Sequence, residues 1–182
     1  MTLSIALLHE RPEYMQECCN LLNDEWKRSD TARMRGLELS CDTLPTNLIL
    51  LENKTLIGHL KLSSIPSITK GCFVESVVIQ KPLRGKGYGT ILMNMAEEYC
   101  KNCLNLKEVY LSTKGQEEFY RKLGYSECAP VSIYGCPIGI FQDLKPPPGA
   151  KINDNIISLG NNYNNKNIDV KNGIKTYMMK IL

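Results

Sequence analysis

The sequence predicts a single α/β domain built around one β-sheet. Its 182 residues, 43% of them apolar, are enough for one buried core of the usual domain size. Segments with the two-residue alternation of strands are interspersed with segments that show the helical period of 3.6 residues. A glycine-rich turn at residues 85–89 joins one strand to the longest helix. We therefore expect about seven strands and about four helices in one domain, residues 1–182.

The first half of the chain predicts a strand, two helices and a β-hairpin. Pro12 favours the first turn of the first helix, because a helix N-terminus leaves the N–H that proline lacks unpaired. Ser29 and Asp30 are typical capping residues and begin a second, shorter helix. A polar turn then separates two apolar segments that are typical of the strands of a hairpin. In order, these elements are predicted at residues 3–8, 12–26, 29–39, 47–51 and 55–64, with the turn at 52–54.

The second half predicts four strands, two helices and one long insertion. Tyr88, Leu92, Met95 and Tyr99 form an apolar stripe on the helix after the glycine-rich turn. A proline-bearing, asparagine-rich segment separates the last two strands, and its composition resists packing. We expect this insertion, residues 135–173, to be flexible. In order, the other elements are predicted at residues 73–79, 88–99, 108–112, 116–123, 125–133 and 174–182.

Composition and charge argue against several functional classes. The formal net charge of +3 is too small to indicate nucleic-acid binding, and no apolar segment approaches the roughly 18 to 20 residues that span a bilayer. We expect neither nucleic acid nor a membrane as a partner. The eight cysteines lie mostly in apolar periodic segments and no export signal is visible, so we expect reduced thiols in a cytosolic protein. Cys100 and Cys103 form a single Cys-x-x-Cys pair, but they are far in sequence from either histidine, so no metal site is predicted.

The strongest functional feature is the segment 77–89, in which an apolar strand runs into a turn with three glycines. Glycine lets a ligand approach the backbone, and the helix that follows presents free N–H groups and its positive dipole end to an anion. Arg84 and Lys86 add positive charge that we expect to be mobile. The spacing fits neither the P-loop nor the Rossmann phosphate motif. The turn is therefore predicted to hold the phosphates of another ligand.

Two blocks together resemble the GCN5-related N-acetyltransferase (GNAT) family. They are the turn Arg84-x-x-Gly87-x-Gly89 and, about thirty residues later, Phe119-Tyr120-x-x-x-Gly124-Tyr125. The resemblance implies a mixed, mostly antiparallel sheet that splays at the cofactor site, acetyl-CoA as co-substrate, and Tyr120 as the acid that protonates the departing thiolate. The residues that it implies for acetyl-CoA binding are Val77, Val78, Ile79, Arg84, Gly85, Lys86, Gly87, Tyr88, Gly89, Thr90, Gln116 and Tyr120.

The general base is left open, because no histidine lies in a segment expected to border the thioester. Glu75 is the first candidate, since on a regular strand it shares a face with Val77 and Ile79 and can reach the acceptor amine directly or through a water. Glu108 and Tyr110 are alternatives, and Glu75 is equally consistent with a solvated strand carboxylate. An α-amino group, with a pKa near 7.7 to 8.0, needs a base less than lysine does. A site without an obvious base therefore favours a protein N-terminus as acceptor.

The segment after the first helix predicts an acidic acceptor. Between Trp26 and Gly36 a single acid stands against four cations, Lys27, Arg28, Arg33 and Arg35. Arginine binds carboxylates through two parallel hydrogen bonds, so these cations suit an acidic peptide, although they also suit a solvated helix face.

The same segment extends the resemblance. The motif Trp26-x-Arg28-Ser29-x-Thr31-x-Arg33 is similar to the branch of the family that acetylates the acidic N-terminus of processed actin. This implies transfer to a protein α-amine, with actin as substrate. The run 146–148 of three prolines in the insertion suggests profilin-bound actin as a further partner, although it is short for a polyproline ligand. The residues implied to line the peptide groove are Trp26, Arg28, Arg33, Arg35, Ser112 and Thr113.

Three other functions stay open on the sequence. The acceptor could instead be a small amine, such as a polyamine, or a protein lysine, although the cations at 27–35 disfavour polyamines. The chain could also be an acetyl-CoA-binding module without turnover, which the presence of Tyr120 disfavours. A third class is an interaction protein that acts through the insertion.

Overall fold

The computed structural model describes residues 2–134 and 175–182. The strands are β1 (Leu3–Leu7), β2 (Thr46–Glu52), β3 (Thr55–Ile65), β4 (Ile68–Ile79), β5 (Glu108–Thr113), β6 (Ser126–Glu127) and β7 (Thr176–Ile181). The α-helices are α1 (Met15–Glu25), α2 (Asp30–Glu38), α3 (Tyr88–Asn102) and α4 (Glu117–Lys122), and 3₁₀ turns lie at Leu8–Glu10, Pro12–Tyr14 and Lys81–Leu83.

The seven strands form one mixed sheet, which confirms the predicted fold class. Their order is β1-β2-β3-β4-β5-β7-β6, and within the described residues only β4 and β5 run parallel. The predicted insertion, residues 135–173, lies outside the described residues, so a single domain over residues 1–182 stays a prediction. No helix within the described ranges is both long and apolar enough to cross a membrane.

Helices cover both faces of the sheet, and β2 shows the consequence. Leu48 and Leu50 are fully buried in the cluster beneath α3, whereas Ile49 and Leu51 are buried in the cluster beneath α1 and α2. A strand covered on both sides becomes a continuous apolar run, which explains why this segment does not alternate.

The predicted strand 125–133 is wrong in extent. Only Ser126 and Glu127 pair with β7, and the ladder ends after the N–H of Cys128 donates to the carbonyl of Tyr177. Pro130 lacks the N–H that a continuing ladder would need. Residues 131–134 turn instead toward a cleft in the sheet.

That cleft arises because β4 and β5 diverge. Their pairing ends at Val74 and Leu111, although β4 continues to Ile79 and β5 to Thr113. On its other side β4 contains a β-bulge: Lys61 of β3 pairs with Glu75 but His59 pairs with Val78, which leaves one extra residue on β4. Ser76 in the bulge is left-handed, with φ of 55°. The expected splaying of the sheet is thus present at the predicted place.

Candidate active site

A cleft of about 1090 Å³ occupies the gap between β4 and β5. Its walls come from the ends of both strands, the glycine-rich turn, the first turn of α3, the start of α4, residues 131–134 and the start of β7. Glu25 and Trp26 at the end of α1 close one side. The cleft has the size of a small-molecule site and is open to a second, larger reactant.

The glycine-rich turn presents unpaired amides to this cleft. Gly85 and Gly87 have φ of 76° and 87°, and a Cβ at either position would meet nothing within 4 Å, so these glycines are needed for backbone conformation rather than for space. No side chain among the described residues caps α3, and the N–H of Ile91 donates to the carbonyl of Gly87 at 3.1 Å, as the first hydrogen bond of the helix. The N–H groups at residues 88–90 therefore remain available to an anion.

Gly89 has a different role, because it already lies within α3. A Cβ there would lie 3.4 Å from Cζ of Phe119, so this glycine allows α3 and α4 to approach each other. All of the residues predicted to bind the cofactor line the cleft except Lys86.

The expectation that Arg84 supplies mobile charge is wrong. Its Nε donates to the carbonyl of Ile79 at 2.9 Å, and its Nη2 donates to the carboxylate of Glu25 at 2.6 Å. The guanidinium is therefore fixed between the end of β4 and the end of α1. Arg84 nevertheless lines the cleft.

Tyr120 lies on the wall contributed by α4, opposite β4. Its ring packs edge-on against Phe119 and Tyr125, with centroids 5.0 and 5.8 Å away. Burial raises the pKa of Tyr120 to about 12, so the phenol carries its proton at neutral pH. A protonated hydroxyl in the cleft can donate to a leaving group. Gln116, just before α4, lines the same wall.

Glu75 lines the cleft, but the predicted face is wrong. The bulge at Ser76 interrupts the alternation, so Glu75 lies opposite Lys61 whereas Val77 and Ile79 pack toward α3. The Glu75 carboxylate accepts a hydrogen bond from the Ser63 hydroxyl and lies 3.5 Å from the Lys61 ammonium. It therefore faces the α1–α2 side of the sheet.

The alternative bases Glu108 and Tyr110 are excluded by position. They pair with residues 71 and 73, before the strands separate, and neither lines the cleft formed by the described residues. The Tyr110 hydroxyl donates to Glu108 at 2.8 Å, and burial together with this carboxylate raises the pKa of Tyr110 to about 12. Deprotonation is thus harder than for a free tyrosine.

The predicted peptide-groove residues separate into three groups. Trp26, 45% exposed, lines the cleft together with Ser112 and Thr113. The second group, Arg28 and Arg35, lies outside the described cleft walls, and Arg28 lines a depression that shares Glu25 with the cleft. Arg35 is exposed on α2 and is absent from the described walls of both.

Arg33 forms the third group, because it is engaged inside the α1–α2 junction. Its Nη2 donates to the carbonyl of Trp26, and its Nε donates to Oδ1 of Asn23 at 3.1 Å. It therefore orients Trp26 rather than standing free for a substrate carboxylate, which corrects its predicted role.

Sequence reasoning missed His59 as a neighbour of the cleft. This side chain is 1% exposed on β3, and its Nδ1 lies 3.1 Å from the carbonyl of Ser76 in the bulge. Its Nε2 lies 3.0 Å from Oδ1 of Asn47. The available signal was an imidazole within the apolar segment 56–60, since a buried polar group needs partners. Glu25 and Tyr177, which also line the cleft, carried no such signal.

One potential metal-ligand group lies elsewhere among the described residues. His9, Glu10 and Asp42 bring ligand atoms within 4.8 Å of one another. The imidazole there already contacts Ser40 at 2.9 Å and Asp42 at 3.0 Å. The predicted absence of a metal stays a prediction.

Comparisons with known proteins agree with this geometry. The model of the acetyltransferase (GNAT) family matches residues 15–125. A curated relative, N-alpha-acetyltransferase 80 of Mus musculus, is 36% identical over 128 residues, which cover 66% of this chain and 40% of the relative. The chain thus spans about 40% of the length of that relative.

Solved structures with the same fold include spermidine N-acetyltransferases of Vibrio cholerae. The structure in complex with CoA and spermine has a TM-score of 0.63 at 16% identity, covering 98% of this chain and 95% of the other. A dodecameric structure in an intermediate state has a TM-score of 0.57 at 21% identity, covering 70% and 81%. At such identities the likeness concerns the fold.

Proposed function

Because this chain belongs to the acetyltransferase (GNAT) family, we propose that it transfers acetyl from acetyl-CoA to the α-amine of an acidic protein N-terminus, with processed actin as the substrate. The observation that carries the choice of an α-amine is the 36% identity to an N-alpha-acetyltransferase over 128 residues. The actin N-terminus is proposed on the resemblance of the Trp26–Arg33 motif. Profilin-bound actin is proposed only through the insertion, which lies outside the described residues.

The cleft fits acetyl-CoA by the chemistry of its walls. The unpaired amides at the start of α3 suit the diphosphate, and the separated end of β4 offers backbone groups to the pantetheine arm. Acetyl-CoA supplies an activated thioester when bound. The N–H of Val77 or Val78 then polarises the thioester carbonyl, because a fixed donor stabilises the charge that develops there.

The transfer needs two proton movements, and the cleft has a group for each. The amine nitrogen attacks the carbonyl carbon, the C–S bond breaks, and Tyr120 gives its proton to the departing thiolate. Glu75 takes the proton lost by the amine, directly or through a water. The α1–α2 side of the sheet, which Glu75 faces, is where Trp26 and Arg28 would receive the peptide.

The charges of the cleft favour an acidic acceptor over a polyamine. A polyamine would need free carboxylates, yet both carboxylates in the described cleft walls are already in ion pairs, Glu25 with Arg84 and Glu75 with Lys61. Arg28, in contrast, is exposed beside Trp26. An entering N-terminus with aspartate or glutamate side chains would meet this cation.

Mass spectrometry of a small acceptor panel tests the proposal. The protein and acetyl-CoA are incubated separately with peptides that begin Asp-Asp-Asp, Glu-Glu-Glu or Met-Leu, with an N-terminally blocked acidic peptide that contains lysine, and with spermidine. We expect acetylation of the two free acidic termini and much slower reaction elsewhere. Preferential acetylation of spermidine or of the internal lysine would overturn the proposed acceptor, and coenzyme A release from none of them would overturn the enzyme assignment.

A further inference from the structure

We propose that His59 is a positioning residue for acetyl transfer, whose Nδ1–H holds the carbonyl of Ser76 and thereby fixes the bulge that directs the amide of Val77 into the cleft. This inference rests on the proposed function, because it assigns a role to residues behind the same site. His59 itself lies on β3 and lines no part of the described cleft wall, so it acts through the backbone of β4.

The bulge needs such support because its backbone is unfavourable by itself. Ser76 has φ of 55°, a conformation in which the Cβ of an L-residue is crowded. Neither Ser76 nor Val77 has a register partner on β3, and pairing with β5 has already ended at Val74. Regular ladder pairing therefore does not hold this part of β4, whereas the imidazole contact at 3.1 Å does.

The surroundings of His59 determine which nitrogen carries the proton. Burial lowers the pKa of His59 to about 4, against the pull of the Ser76 carbonyl, and the cations Arg33 and Lys61 lower it further. The neutral ring has one N–H but faces two oxygens, those of Ser76 and Asn47. A carbonyl can only accept, while a side-chain amide can rotate to present its nitrogen. The structure thus assigns the proton to Nδ1, with the amide of Asn47 donating to Nε2.

Asn47 is itself held by a hydrogen bond, so it keeps His59 in place and prevents the ring from moving with the bulge at Ser76. The backbone N–H of Asn47 donates to the Ser40 hydroxyl at 2.9 Å, and Ser40 contacts the ring of His9 at 2.9 Å. The side-chain contact of Asn47 with the carbonyl of Leu37 is long, at 3.4 Å, and little is lost if the amide rotates. The network connects the bulge to the loop after α2.

This arrangement affects turnover rather than coenzyme binding. An amide that polarises a carbonyl must be held within a fraction of an ångström of its productive position. The diphosphate, in contrast, is assigned to the first turn of α3, which His59 does not contact. Loss of the His59 contact should therefore lower kcat and leave the KM for acetyl-CoA nearly unchanged.

Three variants of His59 separate positioning from mere packing. In His59→Asn the side-chain nitrogen occupies roughly the place of Nδ1 and can still donate to Ser76. In His59→Gln the amide reaches toward Asn47 instead, and in His59→Leu both contacts are lost at similar volume. With a peptide that begins Asp-Asp-Asp we expect kcat to fall about 10- to 100-fold in the Leu and Gln variants, and to stay within about fivefold of wild type in the Asn variant. Equal kcat in all three variants and the wild type would overturn the proposal.

Nuclear magnetic resonance gives a readout that is independent of the acceptor. In the wild-type protein, long-range proton–nitrogen spectra of His59 should show the Nδ1–H form, and adding acetyl-CoA should shift the amide signal of Val77. The same shift should appear in the Asn variant and be lost in the Leu variant. An Nε2–H form, or an unchanged amide shift in the Leu variant, would overturn the role of His59. If these signals behave as expected while no acidic peptide is acetylated, the acceptor proposal fails and the positioning role stands.

Discussion

The two sides of the cleft are built in different ways. The proposed cofactor wall, residues 77–90, is made of backbone: an interrupted strand, a turn with left-handed glycines and a helix start without a side-chain cap. The proposed acceptor wall, residues 23–33 around the α1–α2 junction, is made of side chains, and their roles depend on their contacts. A wall whose shape depends on backbone conformation requires particular residues at fixed spacing, so it can be recognised as a sequence motif. A wall that depends on side-chain contacts shows in the sequence only as an enrichment in certain residue types.

The largest expected effect concerns the buried imidazole behind the cofactor wall. The folded pKa of His59 is about 4, below its ordinary value of 6.5, so only the unfolded chain binds a proton as the pH falls through this window. The free energy of unfolding should be highest above pH 6.5 and should lose about 3 kcal/mol by pH 4 through this group.

Denaturant unfolding of wild type and His59→Asn between pH 4 and 8 measures this effect. Other groups also titrate there, so the comparison uses the difference between the two proteins at each pH. The wild type should lose more stability toward pH 4 than the variant. Parallel pH profiles would show that the pKa of His59 is the same in the folded and the unfolded protein.

The next effect is that of Tyr120→Phe, which removes the proposed proton donor from the wall opposite β4. We expect kcat to fall about 100-fold with little change in either KM, because a positioned acid acts only as the thiolate leaves. Tyr99→Phe is the matched control, since that hydroxyl contacts the carbonyl of Asp42 outside the cleft. Steady-state kinetics with an acidic peptide measure kcat for both variants. An equal fall of kcat in both would remove Tyr120 from the mechanism.

Gly87→Ala tests whether the cofactor wall depends on backbone conformation alone. Space is available for the methyl group, but φ of 87° is strained for alanine by roughly 1–2 kcal/mol. We expect about tenfold weaker acetyl-CoA binding by calorimetry. Gly36→Ala in α2 is the control, because it adds the same methyl group to open space without a left-handed backbone and should leave binding unchanged. Unchanged affinity in Gly87→Ala would show that the turn does not hold the diphosphate.

The smallest effects separate two arginines of the acceptor wall. Arg33→Ala removes the contacts to Trp26 and Asn23 and should lower the free energy of unfolding by about 1 kcal/mol. Arg28→Glu should leave stability unchanged and raise the KM for an acidic peptide about fivefold, without affecting acetyl-CoA. Arg35→Glu, outside the described cleft walls, is the control for charge alone. If Arg35→Glu matches Arg28→Glu, the acceptor wall attracts its substrate only through overall charge.

The sequence predicts the cofactor wall well because local backbone geometry requires particular residues there. Glycine at 85 and 87 is required by positive φ, and the apolar stripe of α3 follows from helical periodicity. The face of Glu75 could not be predicted, because a single extra residue in β4 reverses the alternation and no residue type identifies a bulge with serine in it. The role of Arg33 could not be predicted either, since a sequence does not distinguish an arginine that is hydrogen-bonded within the protein from one that is free to bind a substrate.

The strand predicted at 125–133 failed for a related reason. Val131 and Ile133 have the composition of a strand, but Pro130 stops the ladder and residues 131–134 line the cleft instead. Tertiary surroundings, rather than propensity, decided the conformation of this segment.

The extra residue in β4 also bears on how this chain can diverge from its relatives. Deleting Ser76 would restore regular pairing with β3, keep Glu75 opposite Lys61 and Val77 toward α3, and remove the bulge at which β4 leaves its neighbour β5. Substitutions at this position keep the strand length and the orientation of its neighbours. We therefore expect this strand to accept point changes at position 76 and to reject single-residue deletions, which a mutational scan that scores deletions separately would detect.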